Sequence, residues 1–204
     1  MTRIYYIGGS PCSGKSTVAE IIASKFNLHY FKVDDYLDDY IAKGKEKGKA
    51  FSTKLINMTV DEIWLRSPIE QNEEEFEIYR EMFEFVINDL RQINSPEGII
   101  AEGAAFLPKL MNHIGIDEYH YICVVPTKEF QYFHYKQRPF VPYVLEGCSN
   151  KEQAFENWME RDALFAEAVK QGAANLGYRT IVTDGKKDIN YTYIQVCKAF
   201  GLEE

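Results

Sequence analysis

Gly9-Ser10-Pro11-Cys12-Ser13-Gly14-Lys15-Ser16, continued by Thr17, fills every fixed position of the pattern GxxxxGK[ST]. Its glycines let the backbone curl so that several N–H groups converge on one polyphosphate. A helix starting inside the loop adds its positive end. The lysine can reach the β- and γ-phosphates, and the serine hydroxyl can join a magnesium shell. Five further residues could act beside such a loop. Asp34 and Asp35 follow an apolar run, Glu102 ends another, and Arg138 and Arg161 lie in and beyond a proline-containing stretch. A carboxylate can orient or deprotonate a hydroxyl facing the γ-phosphate, and guanidinium groups can balance charge on a phosphoryl group in flight.

Hydrophobic periodicity supplies elements to hold these groups. "RIYYI" (3–7) reads as a buried strand ending at Gly8-Gly9, and Val18, Ile21, Ile22 and Phe26 give helical spacing over 15–26. A chance match to the loop pattern arises on the order of once in a hundred chains of this length. The strand before it and the helix after it are the context the motif requires. Strand 28–33 precedes Asp34-Asp35, and a short helix over 36–43 is expected next. "KGKEKGK" (43–49) has no apolar face and reads as a mobile loop. The pattern Thr59-Val60-Asp61-Glu62 predicts a capped helix over 59–66. Phe76, Tyr79, Phe83, Val86, Leu90 and Ile93 form one apolar stripe, with Glu73 to Glu75 suiting that helix's positive end. Strands follow at 98–103, 119–125 and 178–184. A helix runs to about 136, a second spans about 151–175, and a third closes the chain. Residues 137–150 read as a loop or lid. Alternating strands and helices predict a single α/β domain over 1–204, with a parallel sheet covered by helices.

Composition narrows the partners. Hydrophobic residues make up 46% of the 204, and the net charge is −8. That charge argues against a nucleic-acid polymer, since backbone binders need a positive face. A small anionic ligand needs only local cations. Four scattered cysteines without a CxxC pair, and no histidine at metal-ligand spacing, read as reduced thiols of a cytoplasmic protein. No signal peptide or membrane-spanning run is expected.

The loop alone does not separate kinases from other nucleotide hydrolases. A GTPase needs a guanine-reading NKxD-like segment, and Thr127-Lys128-Glu129-Phe130 lacks its aspartate. The chain is short for a motor. With the loop, the acidic pair and the element order, the sequence resembles the P-loop kinases of nucleosides, nucleotides and small metabolites. That group includes uridine kinase, gluconate kinase, chloramphenicol phosphotransferase and zeta-toxin branches. The resemblance implies a three-layer α/β/α fold with a five-stranded parallel sheet in 2-3-1-4-5 order, using ATP and Mg²⁺.

On the residues, it implies that Gly9 to Thr17 bind the nucleotide, with Lys15 also catalytic. Asp34, Asp35 and Tyr36 resemble the acceptor site, and Ser16, Asp34 and Glu102 the metal shell, with Glu102 also near substrate. Arg138, opening a lid region (137–160), and Arg161-Asp162, on the helix leaving it, resemble the lid of such kinases. "TIVTDG" (180–185), ending in Gly185, resembles the loop passing the adenine. The helical insertion 51–95 is where such kinases build the acceptor pocket. Trp64, Arg66, Tyr79 and Arg80 are conceivable contacts there, although the stripe reads as core. Two alternatives stay open: a nucleoside or nucleoside monophosphate kinase, and a regulatory nucleotide-binding protein with slow or no hydrolysis. The acceptor and the oligomeric state are not specified by the sequence. One or both aspartates could instead cap the following helix.

Overall fold

A computed structural model describes residues 2–202. Chain order is β1 (Ile4–Gly9), α1 (Lys15–Phe26), β2 (His29–Lys32), a 3-10 turn (Val33–Tyr36), α2 (Leu37–Glu46), α3 (Ala50–Asn57), α4 (Val60–Trp64) and α5 (Pro68–Gln92). It continues with β3 (Ile99–Glu102), α6 (Pro108–His113), β4 (Tyr121–Pro126), α7 (Lys128–Tyr135), α8 (Val141–Val144), α9 (Lys151–Asn175), β5 (Arg179–Thr183) and α10 (Ile189–Phe200). The five strands are all parallel, in the expected order β2-β3-β1-β4-β5.

Both faces of the sheet are buried, which is why its strands read as unbroken apolar runs. Tyr5, Ile7, Ile100, Ile122 and Val124 pack under α1 and α10 against Val18, Ile22, Tyr193 and Val196. Tyr6, Ile99, Ala101, Cys123 and Val125 face the other way, toward Val86 and Leu90 of α5 and Phe165 and Val169 of α9. Local signals set the helix starts. Thr59 and Glu62 form a reciprocal capping box on α4, and Asn150 and Asp188 cap α9 and α10.

Three expectations are corrected. Residues 43–46 are helical, continuing α2, and α3 follows at once. Their lysines are not merely solvated: Lys43 pairs with Asp89, and Lys47 and Lys49 pair with Glu84 of α5. Gly44 lets α2 press on α3, because an added Cβ would lie 2.3 Å from Ser52 Oγ. Second, α5 begins at Pro68, whose missing N–H suits a first turn. Glu73 to Glu75 therefore sit past that turn, and Glu74 and Glu75 bond Arg66 and Arg161. Third, 137–150 is not all loop. It contains α8, and Val141, Leu145 and Cys148 are buried against Tyr135, Trp158 and Met159. The segment is too short to show a period, so its burial was hidden.

Candidate active site

The loop from β1 to α1 sits at the C-terminal edge of the sheet, where open α/β sheets bind ligands. Its glycines are structurally required. Gly9 has φ +123°, and an added Cβ would lie 1.9 Å from the Val124 carbonyl oxygen. Gly14 has φ +85° as it enters α1. Cys12 also takes a positive φ, 63°. Lys15 is 7% exposed, and its ammonium donates to the Ser10 carbonyl at 2.7 Å. Ser13 Oγ is buried inside the curl without a hydrogen-bond partner among the described residues. Pro11 is half-buried, and Thr17 is exposed on the first turn of α1.

Register places Glu102 opposite both Ile7 of β1 and Lys32 of β2. It is 1% exposed, and Tyr30 Oη donates to its Oε1 at 3.1 Å. Burial pushes the Glu102 carboxyl up and the Asp34 charge adds to this, while Lys15, Ser16 and Tyr30 oppose it. Lys15, Ser16, Asp34 and Glu102 are thus within electrostatic reach of one another. Among the described residues, no three or more His, Cys, Asp or Glu side chains form a ready metal cage. An all-oxygen set of one hydroxyl and two carboxylates instead fits an ion such as Mg²⁺, which keeps waters and takes phosphate oxygens as ligands.

Asp34 is exposed on the 3-10 turn, and neither it nor Asp35 caps a helix: α2 has no side-chain cap. Asp35 pairs with Lys32 at 3.6 Å, and Tyr36 stacks on Phe31 at 5.3 Å. Asp34 also acts on Tyr79. Burial pushes that phenol far up, with Glu75 and Asp34 adding to it, so Tyr79 stays protonated and donates to Glu75 at 2.8 Å.

Arg138 and Arg161 arrive from separate elements. The Arg138 guanidinium reaches Cys12 Sγ at 3.8 Å, so this residue touches the phosphate loop. Burial raises the Cys12 thiol, with Arg138 opposing. Arg161 is held by Glu75 and Asp162 and lies 5.4 Å from the Trp64 ring centre. Burial pulls its pKa down, but Asp162 and Glu75 outweigh this and hold it above the ordinary range. The carbonyl of neighbouring Asp162 accepts from Ser10 Oγ at 3.4 Å, tying α9 to the loop. The turn after β5 also comes in: a Cβ on Gly14 would meet Ile189 at 3.0 Å, and one on Gly185 would meet Phe130 at 3.2 Å.

The sheet order, the all-parallel register and the phosphate loop at the sheet's edge decide the architecture. The fold is that of the P-loop kinases. Shikimate kinase from Bacteroides thetaiotaomicron has a similar structure, at 15% identity, with 99% of this chain and 100% of that one covered and a TM-score of 0.50. A putative kinase from Chloroflexus aurantiacus aligns at 12% identity over 97% of this chain and 98% of that one, with a TM-score of 0.45. No protein-family model matches the sequence, and no curated protein matches it. Among the described residues, no helix is long and apolar enough to cross a membrane.

Tyr30 was not singled out from the sequence, and Glu75 only as one of three acids near a helix start, not as a partner of Arg161. Tyr30 sits two residues before Lys32 on one strand face, and Glu75 sits four before Tyr79 on one helix face. Those spacings were the available signal.

Proposed function

We propose that the chain is an ATP-dependent phosphotransferase that moves the γ-phosphoryl group of ATP to a hydroxyl of a small molecule. One observation carries the reading. Asp34, free of capping and of ion pairs among the described residues, stands close enough to the phosphate loop that its charge and that of Lys15 both act on buried Glu102. A carboxylate so placed can orient an alcohol and take its proton as the oxygen attacks phosphorus.

Gly9 to Thr17 would cradle the phosphates with backbone N–H groups, and Lys15 would leave the Ser10 carbonyl for the β- and γ-oxygens. Ser16, Asp34 and Glu102 would hold Mg²⁺ directly or through its water, and the ion would neutralise charge between those phosphates. Arg138, and Arg161 on release from Glu75 and Asp162, would face the transferring group, with segment 137–160 closing to exclude water. Tyr36 would line the acceptor side, and Gly185 the nucleobase side.

The alternative of a nucleoside monophosphate acceptor is disfavoured by where the arginines of 51–95 go. Arg66 is engaged by Glu74, and Arg80 by Glu77. Arg91 lines a groove with Thr2, Ile4 and Tyr6, at the other end of the strands from the loop. Arg66 is thus held in a largely buried pair, Arg80 only in an exposed one, and Asp34 would repel an acceptor phosphate. A nucleoside's neutral hydroxyl stays compatible. The regulatory alternative predicts ATP binding without acceptor-dependent ADP. The test is ADP release with a panel of neutral, amine-bearing and phosphorylated alcohols. Turnover with non-phosphorylated alcohols supports the reading. ATP binding with no acceptor-stimulated ADP, or turnover with phosphorylated acceptors alone, overturns it.

A further inference from the structure

We infer that Tyr30 is a positioning residue for the magnesium shell, fixing the rotation of Glu102 so that one carboxylate oxygen stays aimed at the ion. The inference rests on the reading of Glu102 as a shell residue. Tyr30 and Glu102 stand on one face of neighbouring strands, since Tyr30 pairs with Ile100 and Lys32 with Glu102. Tyr30 Oη bonds Oε1 at 3.1 Å, and Ser16 acts on both Tyr30 and Glu102.

A carboxylate has two oxygens and rotates about its last bond. With one oxygen held by a phenol, the other has fewer directions open, and the remaining neighbours named above are Ser16 and Lys15. Glu102 is 1% exposed, so bulk water has little access to take the phenol's place as a donor. Tyr30 comes from β2, the edge strand that also delivers Asp34 through the 3-10 turn. The same strand therefore sets both the acceptor carboxylate and the orientation of the shell carboxylate. Partners that orient a metal-binding group usually change metal affinity about 10- to 100-fold when removed.

The test is binding of a fluorescent ATP analogue with saturating EDTA and across a Mg²⁺ titration, for wild type, Tyr30→Phe, Glu102→Gln and the double variant. Tyr30→Phe should raise the Mg²⁺ concentration at half-effect about tenfold, with affinity in EDTA unchanged. The double variant should be no worse than Glu102→Gln, because the phenol acts through that carboxylate. Equal weakening with and without Mg²⁺, no change, or additive effects in the double variant would overturn the inference. A normal Mg²⁺ response in Glu102→Gln would instead remove the shell reading beneath it. If Tyr30→Phe lowers the melting temperature sharply, Tyr30→His offers a donor of different reach, and a partial return of the Mg²⁺ response is then the supporting result. No return is the opposing one.

Discussion

Arg161 of α9 and Glu75 of α5 form an ion pair that joins the insertion between β2 and β3 to the helix above the phosphate loop. The same guanidinium meets Asp162 at 2.7 Å, so one cation serves two carboxylates. Tyr79, on the next turn of α5, donates to Glu75 and feels Asp34. The chain of interactions thus runs from Asp34, through its charge on Tyr79, to Glu75 and α9, and through the Asp162 carbonyl to Ser10.

Removing the cation should be costly. Arg161→Met leaves Glu75 and Asp162 facing each other with little water, and breaking such a pair typically costs about 3–5 kcal/mol. Urea unfolding should show a loss of that order. A loss below about 1 kcal/mol, the range of exposed pairs, would mean the network is solvated.

Asp162 gives the protein a pH signature. Burial pushes its carboxyl up to about 6, with Arg161 opposing, against about 3.9 in an unfolded chain. Between those values the folded protein holds a proton the unfolded chain has released. Its contribution to stability is therefore largest at low pH and falls as pH rises through about 6. Asp162→Asn removes this dependence. Melting curves from pH 4.5 to 7.5 should show wild type gaining on the variant as pH falls, whereas parallel curves would contradict the assignment.

Gly9→Ala tests the loop's geometry. The new methyl would overlap the Val124 carbonyl, which belongs to the neighbouring strand and cannot swing aside, and φ +123° is strained for alanine. Strain and overpacking together should cost about 3 kcal/mol. Circular dichroism on urea titration measures it, and an unchanged midpoint would rule out the close approach.

The sequence made the sheet legible because the central strands β1, β3 and β4 are buried on both faces and glycine, acidic residues or proline close the strand ends. The loop was legible because its chemistry fixes residue types at fixed spacing. Segment 43–49 was not, since lysines look solvated until the carboxylates of α5 stand opposite them. Lysine stems cover apolar surface while their heads find charge. The buried part of 137–150 was hidden because Val141, Leu145 and Cys148 bury against tertiary neighbours rather than along a repeating stripe. Arg138 and Arg161 could be named, and Asp162 beside the second, but not their distant partners: Cys12 lies 126 positions from one, and Glu75 lies 86 from the other. No local pattern encodes pairings of that range.

The central claim is that Asp34 handles the acceptor hydroxyl while the loop after β1 holds the phosphates of the nucleotide without needing that carboxylate. It is tested most directly by measuring acceptor-dependent ADP release and ATP-analogue affinity together for Asp34→Asn. The account predicts a fall in turnover of about 10²- to 10⁴-fold, the usual contribution of a positioned acid or base, with affinity for the analogue without Mg²⁺ within about twofold of wild type, well under 1 kcal/mol. Turnover that survives the substitution would contradict it.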